Sequence, residues 1–260
     1  KSANSATSQG MSSVTSLDWT ILGTADFDGD HRADVLWHNT STNANVIWKS
    51  GSSVTPQAVS TLGANWTIVG AGDFDGDGKS DLLLRNTSTG QNVIWKSANS
   101  ATPIAVTTSP NQAWTVAGIG DFNGDHRADI YWHNVSSGQN VIWRSGSSAA
   151  AQAVTASGLA WTPVGIGDFN GDLQADILFR NSSTGQNVIW KSGSSAAAQA
   201  VTAANVQWMV AGIGDFDGDA KADILWHNVV SGTNVIWKSA LSTTPQAVSA
   251  VADLNWVISG

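Results

Sequence analysis

Three features of the 260-residue chain predict an all-β fold, specifically a β-propeller of four-stranded blades. The first is a period. Asp-rich clusters begin at Asp26, Asp73, Asp121, Asp168 and Asp215, at intervals of 47, 48, 47 and 47 residues. Tryptophan keeps the same register at Trp19, Trp66, Trp114, Trp161, Trp208 and Trp256. A second series, Trp48, Trp95, Trp143, Trp190 and Trp237, always ends an N-V-I-W run. The second feature is that each unit divides into four short segments rich in Val, Ile and Trp and punctuated by Gly and Asn, which is the chemistry of strands and turns. The third is the lack of any helical apolar stripe, with Gly too frequent for long helices. Four strands in a repeat of roughly 40–50 residues is the signature of a propeller blade. A β-solenoid is the main alternative, but its repeats are usually shorter.

Within a unit, the first segment runs from the repeat Trp into the acidic cluster, as in WTVAGIGDF from Trp114. The second follows the cluster, as in ADILWHN from Ala222. The third is QNVIWKS, entered through S-x-G turns such as the one ending at Ser137-Gly138. The fourth is the weaker QAVTA segment. A blade packs against neighbours on both faces, so runs such as Asp223-Ile224-Leu225-Trp226 need not alternate. Ser145–Ala156 and Ser192–Ala203 are identical, which marks duplication.

The ends are offset. Lys1 lies as far before Trp19 as Lys96 before Trp114, so the chain opens on a fourth strand, and Trp256–Gly260 reads as a first strand. Residues 1–260 are predicted to form a single propeller domain of five complete repeats, with units near 1–48, 49–95, 96–143, 144–190 and 191–237 and a partial unit at 238–260. The spare strands either pack outside a ring, belong to a larger propeller, or pair with a partner chain, a route to a homo-oligomer.

Composition narrows the function classes. All 20 acidic residues are Asp, and only Asp18 and Asp253 lie outside the five clusters. A net charge of −8 argues against nucleic acid, which calls for a basic footprint. No apolar run is long enough to span a bilayer, so no membrane insertion is expected. With no Cys there are no disulfides, zinc-thiolate sites or thiol nucleophiles. The first residue is Lys1 rather than Met, which fits a removed leader.

The clusters have the form of cation loops. Side-chain oxygens recur at positions 1, 3, 5 and 9: Asp26, Asp28, Asp30 and Asp34; Asp73, Asp75, Asp77 and Asp81; Asp121, Asn123, Asp125 and Asp129; Asp168, Asn170, Asp172 and Asp176; Asp215, Asp217, Asp219 and Asp223. Position 7 adds a backbone carbonyl, from Arg32, Lys79, Arg127, Gln174 and Lys221. Calcium takes six to eight oxygens in flexible geometry, whereas Mg²⁺ keeps several waters. The bidentate Glu of an EF-hand is absent. Gly at position 4 allows the turn, and Phe at position 2 anchors the loop in the core. Five structural Ca²⁺ ions are expected, which would move the charge from −8 to +2. Asn123 and Asn170 remove a carboxylate each, so weaker binding is expected in the third and fourth loops. The alternative reading is a set of solvated Asp turns.

At these residues the chain resembles a known family. A D-x-[DN]-G-D-x-x-x-D loop after a W-x-x-x-G-x-x-D-F strand is similar to the FG-GAP/VCBS repeat, the blade unit of the integrin α-subunit propeller and of integrin-like propeller lectins. The resemblance spans the chain unit by unit. It implies that each loop joins strands one and two of a blade and holds Ca²⁺. It does not fix the ligand.

Enzyme chemistry finds little support, and the chain is read as non-catalytic. No G-x-S-x-G, P-loop or H-E-x-x-H motif occurs. His31 and His126 read as exposed turn residues. His38, His133 and His227 share one position with Arg85 and Arg180, a polar strand end that could line a ligand groove. Trp48, Trp95, Trp143, Trp190 and Trp237 are candidates for stacking on sugar faces, but Trp is also the largest apolar filler for an interblade core. Strand-two positions Trp37, Leu84, Trp132, Phe179 and Trp226 vary as core positions do. Asn39, Asn86, Asn134 and Asn181 head N-x-[ST] triplets that read as repeated turns. The expected function is a secreted, calcium-stabilised binding module for a glycan, with a protein ligand or a structural scaffold as the alternative.

Overall fold

A computed structural model describes residues 13, 14 and 16–248. The fourth-strand segment at Lys1, the first-strand segment at Trp256–Gly260 and the roles assigned to them lie outside the described residues. The rest forms five four-stranded antiparallel sheets, each with its strands in chain order. The first blade is β1 (Trp19–Ala25), β2 (Asp34–Asn39), β3 (Asn45–Trp48) and β4 (Pro56–Val59). The second is β5 (Trp66–Gly72), β6 (Asp81–Asn86), β7 (Asn92–Trp95) and β8 (Pro103–Val106). The third is β9 (Trp114–Gly120), β10 (Asp129–Asn134), β11 (Asn140–Trp143) and β12 (Ala151–Val154). The fourth is β13 (Trp161–Gly167), β14 (Asp176–Asn181), β15 (Asn187–Trp190) and β16 (Ala198–Val201). The fifth is β17 (Trp208–Gly214), β18 (Asp223–Asn228), β19 (Asn234–Trp237) and β20 (Pro245–Val248). This is a five-bladed propeller with the predicted strand order.

One segment differs from its expected form. The Lys-Ser tail of each N-V-I-W-K-S run leaves the sheet as a short 3₁₀ turn, Lys49–Gly51 in the first blade. Ser50 takes a left-handed φ of 47°, and its N–H donates to Asp34 Oδ1 at 2.7 Å. A buried carboxylate therefore ends the strand, which strand propensity cannot foresee.

Every first strand carries a bulge. In the first blade Ile21 pairs with Trp37 and Gly23 with Leu36, leaving Leu22 extra. A bulge re-aims the residues beside it. Leu22, Val69, Ala117, Val164 and Ala211 thereby line one central cavity of about 610 Å³ together. The bulge glycine lets the next blade come close. A Cβ on Gly70 would lie 2.5 Å from Ile119 Cδ1, and one on Gly165 2.5 Å from Ile213 Cγ1.

The core lies between blades. Leu36 and Ile47 pack on Leu82 and Leu84 of the next blade. Leu83 and Ile94 meet Ile130 and Trp132, Tyr131 and Ile142 meet Ile177 and Phe179, and Leu178 and Ile189 meet Ile224 and Trp226. The second, third and fourth blades thus bury both faces, and β6 is buried along its whole length. Phe216 and Leu225 hold the corresponding places on the fifth blade and are only partly buried. Because Gly118 meets Ile166 across a packed junction, Gly118→Ala should destabilise the protein by about 1–3 kcal/mol. Thermal melting checks this, and an unchanged Tm would refute the close-approach account.

Candidate metal centres and interblade ligand site

Each acidic loop joins strands one and two of its blade and is built by its own carboxylates. Asp26 Oδ1 accepts the N–H groups of Gly29 at 2.7 Å and Asp30 at 3.2 Å, and Oδ2 accepts that of His31 at 2.7 Å. Burial alone would raise the Asp26 carboxyl, but these backbone donors outweigh it and hold it below the usual range. Position 4 needs glycine because φ there is positive, 80° at Gly29. Position 6 is left-handed too, at His31, His126, Leu173 and Ala220. His31 and His126 are exposed.

Position 9 does the opposite of what a surface ligand does. Asp34, Asp81, Asp129, Asp176 and Asp223 have no exposed surface. Asp129 Oδ2 accepts the Phe122 N–H at 3.0 Å, and Oδ1 accepts the Ser145 N–H at 2.8 Å. The same pair of bonds recurs in every blade. One carboxylate therefore fastens the start of its loop to the turn after strand three.

The loops are also linked to one another. The Ser80 N–H donates to the Asp26 carbonyl at 2.7 Å, and Ala128, Ala175 and Ala222 donate to Asp73, Asp121 and Asp168 at 2.6 Å. The stem of Lys79 lies over Gly29, and those of Arg127, Gln174 and Lys221 lie over Gly76, Gly124 and Gly171. Among the described residues no such bond joins the fifth loop to the first.

Carboxylate oxygens of Asp26, Asp28 and Asp34 lie within 4.8 Å of one another, as do those of Asp73, Asp75 and Asp81 and of Asp215, Asp217 and Asp223. A converging all-oxygen set suits a hard divalent cation. In these three loops a lysine after the N-V-I-W run pairs with position 3: Lys49 with Asp28 at 3.4 Å, Lys96 with Asp75 at 2.7 Å and Lys238 with Asp217 at 3.3 Å. The pairs are part-exposed and contribute little to stability. In the third and fourth loops the amides of Asn123 and Asn170 donate instead to Asp125 and Asp172, at 3.0 Å. Position 5 stands outside the converging groups. Asp30, Asp77, Asp125, Asp172 and Asp219 each accept the N–H of position 7, that is of Arg32, Lys79, Arg127, Gln174 and Lys221, at 2.9 Å.

The strand-end polar position makes one side-chain contact that recurs in every blade. His38, His133 and His227 place Nδ1 on Asn45, Asn140 and Asn234 Oδ1 at 2.7–2.8 Å. Arg85 and Arg180 donate from Nη1 to the equivalent Asn92 and Asn187 at 3.0 and 2.9 Å. His and Arg interchange because either supplies the donor that this asparagine needs. The two arginines also reach into the next blade, over the Trp132 ring at 5.0 Å and the Trp226 ring at 5.1 Å. The N-x-[ST] asparagines close turns, with Asn39 Oδ1 accepting the N–H groups of Ser41 and Thr42.

Trp95, Trp143, Trp190 and Trp237 lie in the junctions, whereas Trp48 packs within the first blade. Trp48 is buried against Trp37 at 4.9 Å, and Trp143, Trp190 and Trp237 pair with Trp132, Phe179 and Trp226 at 4.4–5.0 Å. Trp95, Trp143, Trp190 and Trp237 remain partly exposed. Around Trp190 the packing opens into a cavity of about 470 Å³, lined by Ser157, Trp161, Phe179, Gln186, Val188 and Trp190 among others.

A family model for the FG-GAP-like repeat matches residues 26–84, 73–132, 121–179 and 168–226, overlapping spans that cover more than half of the chain. The chain belongs to the FG-GAP-like repeat family. No curated protein matches it in sequence. Among solved structures, a chain of the nidogen/laminin complex is 10% identical, with a TM-score of 0.59 over 93% of this chain and 83% of that one. Virginiamycin B lyase from Staphylococcus aureus is 9% identical, with a TM-score of 0.53 over 92% of this chain and 72% of that one. At such identity the likeness is one of fold alone. FG-GAP propellers serve in general as binding scaffolds, but that lyase is an enzyme, so the wider architecture does not exclude catalysis.

The position-9 carboxylates give this FG-GAP chain a pH dependence. Burial pushes Asp176 up to about 6 from 3.8, against the opposing N–H groups of Ser192 and Phe169. Asp81, Asp129 and Asp223 are raised for the same reason. Without a cation, the folded protein keeps a proton that the unfolded chain has released, so the stability from Asp176 is full below pH 3.8 and lost as pH rises through about 6. In EDTA, wild type should therefore lose stability relative to Asp176→Asn across that window. A constant difference between their melting curves would contradict this. Cation binding needs the ionised form, so any affinity of this loop for a divalent cation should rise over the same window.

Proposed function

We propose that the protein is a non-catalytic, calcium-stabilised binding module that works outside the cell and takes a carbohydrate between its third and fourth blades. The observation that carries this is the cavity of about 470 Å³ beside Trp161 and Trp190. Both rings are partly exposed, and Gln186 and Ser157 stand within the same lining. Aromatic faces flanked by a few polar groups suit a ligand with apolar CH faces and hydroxyl edges. The loops take no part in that surface. Their role is to bind cations that stabilise the native fold by preferring it to the unfolded chain. Calcium affinities of about 10⁻⁴–10⁻³ M are usual for extracellular modules, which suits a calcium-rich compartment. The protein-ligand reading keeps its place because Arg85 and Arg180 already fill the equivalent junctions with a protein side chain.

A glycan array probed with wild type and Trp161→Ala, each with calcium and with EDTA, tests the carbohydrate reading. Binding should be present in calcium, weakened at least tenfold (about 1.4 kcal/mol) by Trp161→Ala and reduced by EDTA. A folded, calcium-loaded protein that binds no glycan would sink it.

A further inference from the structure

The blade junctions are not equivalent, and their differences say what the open one accepts. Between the second and third blades, the Arg85 guanidinium lies over Trp132. Its Nη2 donates to the carbonyls of Ser109 at 2.9 Å and Trp114 at 3.3 Å and to Gln112 Oε1 at 3.4 Å, and its Nη1 donates to Gly90 O at 3.3 Å. Between the fourth and fifth blades, Arg180 repeats this arrangement over Trp226. It donates to Ala204 O at 3.0 Å, Asn205 O at 2.9 Å, Trp208 O at 2.9 Å and Gly185 O at 3.1 Å. Arg85 and Arg180 are only 5% and 7% exposed, so these junctions are filled.

Between the third and fourth blades the arginine is replaced by His133, whose shorter ring stops at Asn140. Backbone pairing identifies the equivalent positions. The N–H groups of Ser109, Ser157 and Ala204 donate to Gly90, Gly138 and Gly185. Ser157, Trp161 and Phe179 thus stand where Ser109, Trp114 and Trp132 hold the Arg85 head, and all three line the cavity of about 470 Å³. Between the first and second blades His38 again replaces arginine, but there Leu62 takes the Ser157 position and packs into the apolar cluster with Trp66 and Leu84. Among the described junctions, the one between blades three and four combines a short strand-end residue with a small linker residue.

We propose that this cavity is a guanidinium site, which takes an arginine side chain from a partner as the neighbouring junctions take Arg85 and Arg180. This rests on the reading that the cavity is the ligand site, and it takes the protein-ligand alternative for that site in place of the carbohydrate. The carbonyls of Ser157 and Trp161, both in the cavity lining, are the acceptors. Among the described residues the Ser157 carbonyl receives no donor, and the Trp161 carbonyl receives, apart from its strand pairing, only the Ser157 hydroxyl at 3.5 Å. The rings of Phe179 and Trp161 supply the aromatic faces that a delocalised cation prefers. Guanidinium fits better than ammonium, because the acceptors in the filled junctions are spread around a planar fork rather than clustered about a point.

Isothermal titration of the calcium-loaded protein with N-acetyl-arginine amide, its citrulline analogue and methyl glycosides tests this. The arginine probe should bind with Kd on the order of 1 mM, and the neutral citrulline analogue at least tenfold more weakly. His133→Arg should abolish binding by filling the cavity from within. Ser157→Leu, which copies Leu62, should do the same without adding charge, and so covers the case in which His133→Arg fails to fold. Equal binding of arginine and citrulline, no heat from the arginine probe, or undiminished binding by folded Ser157→Leu would each overturn the proposal. Glycan binding lost on Trp161→Ala, without arginine binding, would sink the guanidinium site and leave the cavity as a carbohydrate site. Arginine binding without glycan binding would do the reverse.

Discussion

The structure depends on one buried carboxylate per blade. Aspartate at loop position 9 accepts one N–H from the loop phenylalanine and one from the left-handed serine after strand three. Removing such a group from water is costly unless its lone pairs are used. Here they are used by the two points that define the blade's edge. The first bond sets the entry of the acidic loop. The second stops the N-V-I-W strand and turns the chain into the short 3₁₀ turn. Raised carboxyls at Asp81, Asp129, Asp176 and Asp223 show that the bonds only partly offset burial. A cation beside the carboxylate would favour its charged form, so an ion bound there would reinforce the fastening.

From that fastening the order passes outward by direct contact. The loop holds its position-1 carbonyl where the next blade's position-8 N–H can reach it, and four such bonds join five loops. Below them, bulge glycines allow isoleucines of the following blade to approach, and the second, third and fourth sheets are buried on both faces. The blades therefore gain little from internal cores and much from their neighbours, as in other stacked repeats. The lysines on position 3 fit the same picture as weak, displaceable partners of exposed carboxylates.

Much of this was legible in the sequence. The 47-residue period located all twenty described strands, because Trp, Asp and Asn mark the same points in each unit. The loop positions were legible for the same reason. Other features were not. The motif writes positions 1 and 9 with the same letter, yet Asp26 caps its own loop while Asp34 is sealed in the core. Burial of that kind depends on which backbone N–H groups arrive from distant residues. The inequality of the junctions was also hidden. The series Trp37, Leu84, Trp132, Phe179, Trp226 and the series His38, Arg85, His133, Arg180, His227 were each visible, but within a unit they appear unrelated. They are coupled across blades, with each arginine paired to the tryptophan of the following blade. Leu62 and Ser157 sit in linkers whose composition carries no signal, and only packing separates the filled junction from the open one.

The most direct test of the fastening is the melting temperature of Asp129→Asn, measured in EDTA and in saturating calcium. An amide offers one acceptor oxygen and places a donor against the second N–H, so at least one of the bonds from Phe122 and Ser145 is lost. Loss of a hydrogen bond to a charged group costs about 1.5–3 kcal/mol. The account therefore predicts a clearly lower Tm in EDTA and a smaller gain on adding calcium than wild type shows. A variant that melts with wild type in EDTA and gains as much from calcium would contradict it.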